Sequence, residues 1–584
     1  MTIRTILILL VVSLLLVEFP IIIIISLPLK SEAYETQKQY QKYNLNIKTL
    51  ICASPTPKNY TFSQEFVNFR LRTSSGDSEV NVNSTVILKV YDESGNLVAN
   101  SSQTDIQLKT QEGLPFDKQT EIYLTCTKNT ISPGRQFPVI EVITIKEDGG
   151  LLFSVSPLSL DQEPVVNDPN LKVEVVYKGI NFPTSMAFLA PNDILVLEKN
   201  TGKVRRIVNG QLLKEPLLDV NVAGNVENGL LGIAVSKKVQ ENTYRNGEPV
   251  YVFLYFTQAN SDKDYQGKEK EPLANRLYRY QLINNKLENP KLLLNLPAAA
   301  WAIHNGGKVV IGPDENVYVV VGDIVGINID KKTKAQNYKN GTDPDGRAGI
   351  LRITQDGKPV GGAKGILGDK YPLNLYYAYG IRSSFGIDFD PVTGNLWDTE
   401  NGPLYGDEIN LIYPGFNSGW VKVQGLWEPS GPYDYYPGKI LITPNDLVDF
   451  GGKGNYSSPK FIWMKNVGPT DLTFLKSDKL GKRYQNDMFV GDVKYGNLYH
   501  FDLNLNRKDL LLPANHSLAD KIADNLQENE EAVFARGFGG ITDIEVGPDG
   551  YLYVASIKAY VNDIHEGTLY RIVPKTNNNL TSVK

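Results

Sequence analysis

Four histidines occur in the chain, and one of them, His304, stands in the run Ala302-Ile303-His304-Asn305-Gly306-Gly307 just before an alternating apolar segment. A neutral imidazole is a competent base near pH 7. Asp323 follows that segment. Arg382 in Gly380-Ile381-Arg382 and Lys494 after Gly491-Asp492-Val493 add two cations. Each also has a bland role: a structural histidine, an arginine paired with Asp323 or Glu400, a solvated turn lysine. Asp407 and Glu408 follow Gly402-Pro403 closely, and carboxylate and carbonyl oxygens together suit Ca2+.

These residues share a site only if the fold brings them together, and an internal repeat supplies the reason. Its unit is an alternating strand, a Pro/Asp/Gly turn and a second strand rich in Val and Tyr. The clearest copies are 307–321 and 541–554, each with a Gly-Pro-Asp turn. Looser copies place equivalent first-strand positions at Met186, Ile233, Val309, Ile387, Leu472 and Ile544. The expectation is an all-β fold dominated by a six-bladed β-propeller with four strands per blade and long insertions. Closure is expected between 171–176 and 569–573. With each first strand innermost, residues before strand one and after strand two share one mouth of the channel. Before it stand Glu227, His304, Arg382 and Thr470; after it stand Glu198, Asp323, 400–403 and Lys494.

The remaining features bound the class. At 584 residues the chain is too long for one ordinary core. A net charge of -5 argues against a nucleic-acid partner, which needs a basic face. Gly (50), Pro (33) and Tyr (32) suit many short strands joined by turns. Residues 1–33 carry two apolar runs interrupted by Glu18-Phe19-Pro20, with Ser31-Glu32-Ala33 behind them, and read as a signal peptide or membrane anchor. Residues 34–48 read as a linker, 49–160 as a small β-sandwich-like domain, 166–575 as the propeller and 576–584 as a polar tail. Cys52 and Cys126 are the only cysteines and are expected to pair if exported. Sequons at Asn59, Asn83, Asn100, Asn340, Asn455, Asn515 and Asn579 agree with an extracytoplasmic, glycosylated protein.

From about residue 174 to 574 the sequence resembles the soluble quinoprotein glucose/sorbosone dehydrogenase family. The resemblance rests on 227–234 (ENGLLGIA), on His304 with its strand through Gly322-Asp323, on Gly380-Ile381-Arg382, on 399–410 (TENGPLYGDEIN), on 415–420 (GFNSGW) and on Lys494. It implies a six-bladed propeller that binds pyrroloquinoline quinone (PQQ) and Ca2+ and oxidises the C1 hydroxyl of an aldose to a lactone. It implies His304 as base, Asp323 as its orienting group and Arg382 against the reduced quinone. Lys494 would hold PQQ, the Gly402 and Pro403 carbonyls would bind Ca2+, and Glu408 matches a Ca2+-linked position. An external quinone or redox protein would take the electrons.

The chain departs from that pattern. Gly540-Ile541-Thr542-Asp543 stands where the family carries two arginines that bind the cofactor's carboxylates, and Arg536 is the nearest arginine in sequence. Ser383 replaces an asparagine after Arg382, and Glu227 replaces a glutamine. Two other readings therefore stand beside the dehydrogenase: a propeller that lost its cofactor and serves binding or adhesion, and a Ca2+-dependent lactonase-type hydrolase.

Overall fold

The computed structural model describes residues 163–575 except 225, 237–248, 266–269, 328–331, 404, 426, 429–430, 433–443 and 558–565; before residue 163 it describes only strand segments. The chain forms two compact units, Met1–Gln162 and Glu163–Lys584. In the first, Leu45–Thr49 pairs antiparallel with Glu65–Phe69 and parallel with Thr120–Ile122. Phe137–Ile145 pairs antiparallel with Leu151–Leu158 and with Ile23–Ile24. The expected Cys52–Cys126 pairing and C-terminal tail lie outside the described residues, as does most of the expected signal or anchor and of the linker; Ile23–Ile24, in the first of those spans, and Leu45–Thr49, which begins in the second, are strand instead. Among those described, no helix is long and apolar enough to cross a membrane.

The second unit is all-β in a β-propeller arrangement. Its inner strands are Pro183–Ala190, Leu230–Val235, Val309–Ile311, Ser384–Phe389, Pro469–Phe474 and Gly540–Val546. Each lies beside the next, and Gly540–Val546 closes against Pro183–Ala190. From each, an antiparallel sheet runs outward. The expected four strands per sheet holds for two of them; the others have five or six. Added short strands supply the difference, among them Phe416–Asn417, Asn455–Tyr456, Ile522–Ala523 and Val165–Val166. The chain ends close the ring: Leu171–Asn181 pairs with Glu566–Pro574, Leu569 lying opposite Tyr177.

The repeat has a local physical basis. In one copy the Glu315 N–H donates to the Gly312 carbonyl, and Tyr318 donates to Asp314 at 3.0 Å. In the other the Gly550 N–H donates to Gly547, and Tyr553 donates to Asp549 at 2.8 Å. The fourth turn residue is left-handed in both, with φ +60° at Glu315 and +83° at Gly550. Apolar alternation then fills the space between sheets. Val319, Leu351 and Tyr376 pack with Tyr255 and Leu277, and Trp397 and Trp463 are fully buried. Each such side chain contributes about 1.5–3 kcal/mol.

The ring is also tied across its axis. Lys308 is buried, and its ammonium contacts Asp471 at 2.7 Å, Asp543 at 2.6 Å and Glu545 at 3.0 Å. Asp543 also accepts the Met186 N–H at 2.8 Å, and Asp471 accepts the Ile544 N–H at 3.0 Å. Inner strands from four sheets therefore meet at one cation.

Two outcomes follow. Lys308→Met leaves three carboxylates facing each other and is expected to cost about 3–5 kcal/mol in urea unfolding at pH 7. Burial pushes the Glu545 carboxyl up to about 7, against the pull of Lys308. The folded state then keeps a proton that the unfolded chain releases near a glutamate's ordinary value of 4.5. This group's contribution is full below that value and is lost as pH rises toward 7. Glu545→Gln is expected to flatten the decline in stability between about pH 5 and 7 by roughly 1–3 kcal/mol. Parallel pH–stability curves of variant and parent would contradict this.

Candidate active site

One channel mouth opens into a cavity of about 260 Å3. A recurring irregularity builds its wall. Opposite one residue step of the partner strand, Leu231, Phe385, Thr470 and Thr542 are each the extra residue of a β-bulge near the start of an inner strand. The first inner strand has a similar shift at Thr184-Ser185. All six residues line the cavity. A bulge re-aims a side chain that regular alternation would bury between strands.

His304 lines the same cavity on a strained backbone, with φ +64°. Carboxylates hold it from two sides. Glu227 accepts its N–H and, at 3.3 Å, that of Asn305. Asp323 lies 2.7 Å from Nδ1. Asp323 is buried, accepts the Trp420 indole N–H at 2.6 Å, and donates its own N–H to the Arg382 carbonyl at 2.8 Å. An ionised Asp323 is acceptor-only, so Nδ1 carries a proton, and the neutral ring then has its lone pair on Nε2. The imidazole is therefore fixed in the tautomer of a base whose reactive nitrogen is the one not turned to Asp323.

Arg382 forms the facing wall. Its N–H donates to Glu400 at 2.7 Å, and its guanidinium donates to the carbonyls of Asn401 at 2.8 Å and Gly402 at 3.1 Å. It stacks over Trp420, and its buried Nε has no hydrogen-bond partner. Burial pulls its affinity for the proton down, and four surrounding carboxylates, Asp323 foremost, oppose that. Burial pushes Glu227 above the usual carboxylate range.

The structure thus brings His304, Glu227, Arg382, Ser383 and Thr470 to one cavity, with Asp323 behind His304. Other expected residues lie elsewhere. Arg536 pairs with Glu530 at 2.9 Å and does not line the cavity; it is no substitute for the absent arginines. Glu198 turns to Thr201 and Arg205, and Lys199, one residue on, lines the cavity instead. Lys494 lies outside the lining, its ammonium 3.4 Å from the Asn466 carbonyl. Glu408 does not join Gly402 and Pro403. Successive strand residues face opposite sides, and it is Asp407 that accepts the Gly402 N–H at 2.9 Å. Glu408 instead accepts from Gln424, Gly425 and Asn410.

Lys199, Lys308 and Trp420 were missing from the expected site. Lys199 is buried, and burial lowers its ammonium to about 8 against the pull of Glu227. Its sequence signal was its place just after a second strand.

Residues 180–569 match the Glucose / Sorbosone dehydrogenase family. The chain belongs to this family. Among relatives, Quinoprotein glucose dehydrogenase B of Acinetobacter calcoaceticus is 30% identical over 319 residues, 52% of this chain and 63% of that protein. Aldose sugar dehydrogenase YliI of Escherichia coli is 23% identical over 412 residues, 69% and 93% of the two chains. The crystal structure of the soluble aldose sugar dehydrogenase of Escherichia coli in the apo-form has a TM-score of 0.50 at 20% identity, covering 69% of this chain and all of that one, and supports the fold alone. Within the glucose/sorbosone dehydrogenase frame, Thr542 stands in the cavity wall with its hydroxyl on the Ala555 carbonyl at 3.2 Å.

Glu227 caps two backbone donors at the strained turn that carries His304. Glu227→Ala is expected to lower stability by about 1–3 kcal/mol, whereas Glu227→Gln keeps an acceptor and most of the stability. Equal losses in thermal unfolding would refute the capping role.

Proposed function

We propose that the protein is a quinone-dependent sugar dehydrogenase that oxidises the C1 hydroxyl of an aldose to a lactone. The carrying observation is the 2.7 Å contact of His304 Nδ1 with buried Asp323 beside a cavity faced by Arg382. The relatives named as quinoprotein and aldose dehydrogenases support the substrate class.

The residues present suit PQQ, a flat quinone with three carboxylates. The orphaned Nε of Arg382 is a buried donor awaiting an electron-rich oxygen. Lys199 adds a buried cation to the lining. When bound, PQQ supplies the two-electron acceptor for the hydride from sugar C1. His304 Nε2 takes the proton of the C1 hydroxyl. Asp323 holds the resulting imidazolium, and Trp420 keeps that carboxylate in place. Arg382 favours negative charge building beside it. The bulged Leu231 and Phe385 give the cavity apolar walls against which a flat ring can lie.

The Ca2+ set does not fit as arranged. The Gly402 carbonyl already accepts from Arg382 and, at 3.0 Å, from Asn466, so a dication there would face a guanidinium. No step is drawn through Ca2+. The absent arginine pair favours a second reading in which the cavity binds a ligand without redox chemistry.

We read the ring as a six-bladed propeller with the catalytic mouth on one face. The N-terminal apolar runs and the exposed sequon residues Asn340, Asn455 and Asn515 support an exported protein, with electrons passing to an external acceptor.

Calorimetry with PQQ and dye reduction with aldoses test this reading. Binding with aldose-dependent reduction supports it. His304→Ala is expected to lose about 100- to 10,000-fold in kcat and to retain PQQ. Absence of PQQ binding in the micromolar range would overturn it, and lactone hydrolysis without PQQ would establish the hydrolase instead.

A further inference from the structure

A second polar cavity, of about 420 Å3, lies away from the channel mouth and shares no lining residue with the first. His500 and Asp502 stand in its wall, with Asp168, Arg483 and Glu531 around it. Asp487 precedes the strand Met488–Asp492, and His500 lies in the neighbouring strand Leu498–Phe501 opposite Phe489. The pairing sets Asp487, His500 and Asp502 side by side. His500 Nε2 is 3.0 Å from Asp487 Oδ2 and 3.5 Å from Asp502 Oδ1, and one ligand atom from each residue lies within 4.8 Å of the others.

We propose that Asp487, His500 and Asp502 form a binding site for a divalent transition-metal ion such as Zn2+, whose remaining coordination position opens to water in this cavity. The spacing supports this. Tetrahedral ligands at about 2.0–2.2 Å from a metal stand roughly 3.4 Å from one another, close to both distances from His500 Nε2. One imidazole and two carboxylates offer an N/O set that suits Zn2+ better than the all-oxygen set of Ca2+. Three protein ligands leave a fourth position, as in sites that keep a water, and His500 and Asp502 both line the cavity.

The ring is held in position for this role. Tyr484 packs edge-on against His500 at 5.1 Å, Phe489 lies 5.1 Å away and Phe534 6.2 Å. Asp487 is buried, so its carboxylate cannot swing into bulk water. Asp487 and Asp502 lie beside the same imidazole nitrogen, so a cation placed there would meet both carboxylates. The guanidinium of Arg483, in the same cavity wall, pairs with Asp168 at 3.0 Å. A protonated His500 is the competing cation, and the experiment distinguishes the two.

The purified protein is stripped with chelator, and Zn2+ binding is followed by calorimetry for the parent, Asp502→Asn and His500→Gln. Asp502 is exposed, so its variant folds as the parent does. His516→Gln, a surface change, controls for adventitious sites. Co2+ spectra of the parent report ligand geometry directly. The expected result is one micromolar site in the parent that weakens at least about tenfold in Asp502→Asn and His500→Gln and is unchanged in His516→Gln. Tetrahedral Co2+ bands should disappear with it. No Zn2+ binding, or binding that is equal in parent and Asp502→Asn, would overturn the proposal and leave an imidazolium held between two carboxylates.

Discussion

A single ammonium at the axis conditions everything else in the propeller unit. Lys308 Nζ is within 3.0 Å of Asp471, Asp543 and Glu545, and those carboxylates are bonded onward to Met186 and Ile544. Burying four ionisable groups is costly unless each finds partners. The arrangement is satisfied only when inner strands of several sheets hold one rotation about the axis. Apolar packing between sheets is tolerant of small slips; this polar cluster is not. It therefore fixes the register at which the mouth residues meet.

The geometry of the mouth inherits that register. His304 stands four residues before Lys308, and the turn between them has positive φ at His304, Gly306 and Gly307. A Cβ at Gly306 would come within 2.7 Å of the Val320 carbonyl, so only glycine lets the chain pass there. Strain of this kind persists where surrounding contacts over-determine it. Here Glu227 caps the turn and Asp323 fixes the ring. The bulges at Leu231, Phe385, Thr470 and Thr542 are the second device, turning residues out of the ladder and into the mouth.

Much of this was readable before the structure. The alternating repeat located the inner strands, and the strand-one and strand-two rule brought His304, Glu227, Arg382, Thr470 and Asp323 together. Its failures have physical causes. Glu198 and Lys199 are adjacent at a strand end, and an error of one residue exchanges the faces. Bulges leave no mark in a single sequence, so Thr542 could be read as a missing arginine but not as a wall residue. Lys308 was in plain view within the clearest repeat, yet its three partners come from residues more than 150 positions away. Arg536 was near in sequence alone; its strand runs at the outer part of a sheet, pairing with Val165–Val166. Trp420 belonged to a recognised motif, but its indole contact with Asp323 spans 97 residues and no local pattern announces it.

The central claim is that this cavity joins a quinone to a sugar under His304. The most direct measurement is an anaerobic titration of the PQQ-loaded protein with an aldose in the absence of any electron acceptor, followed by absorbance. The account predicts that one equivalent of sugar converts the bound quinone to its reduced form in the parent and that His304→Ala leaves it oxidised. A bound quinone that stays oxidised in the parent, or is reduced equally well without His304, would contradict it.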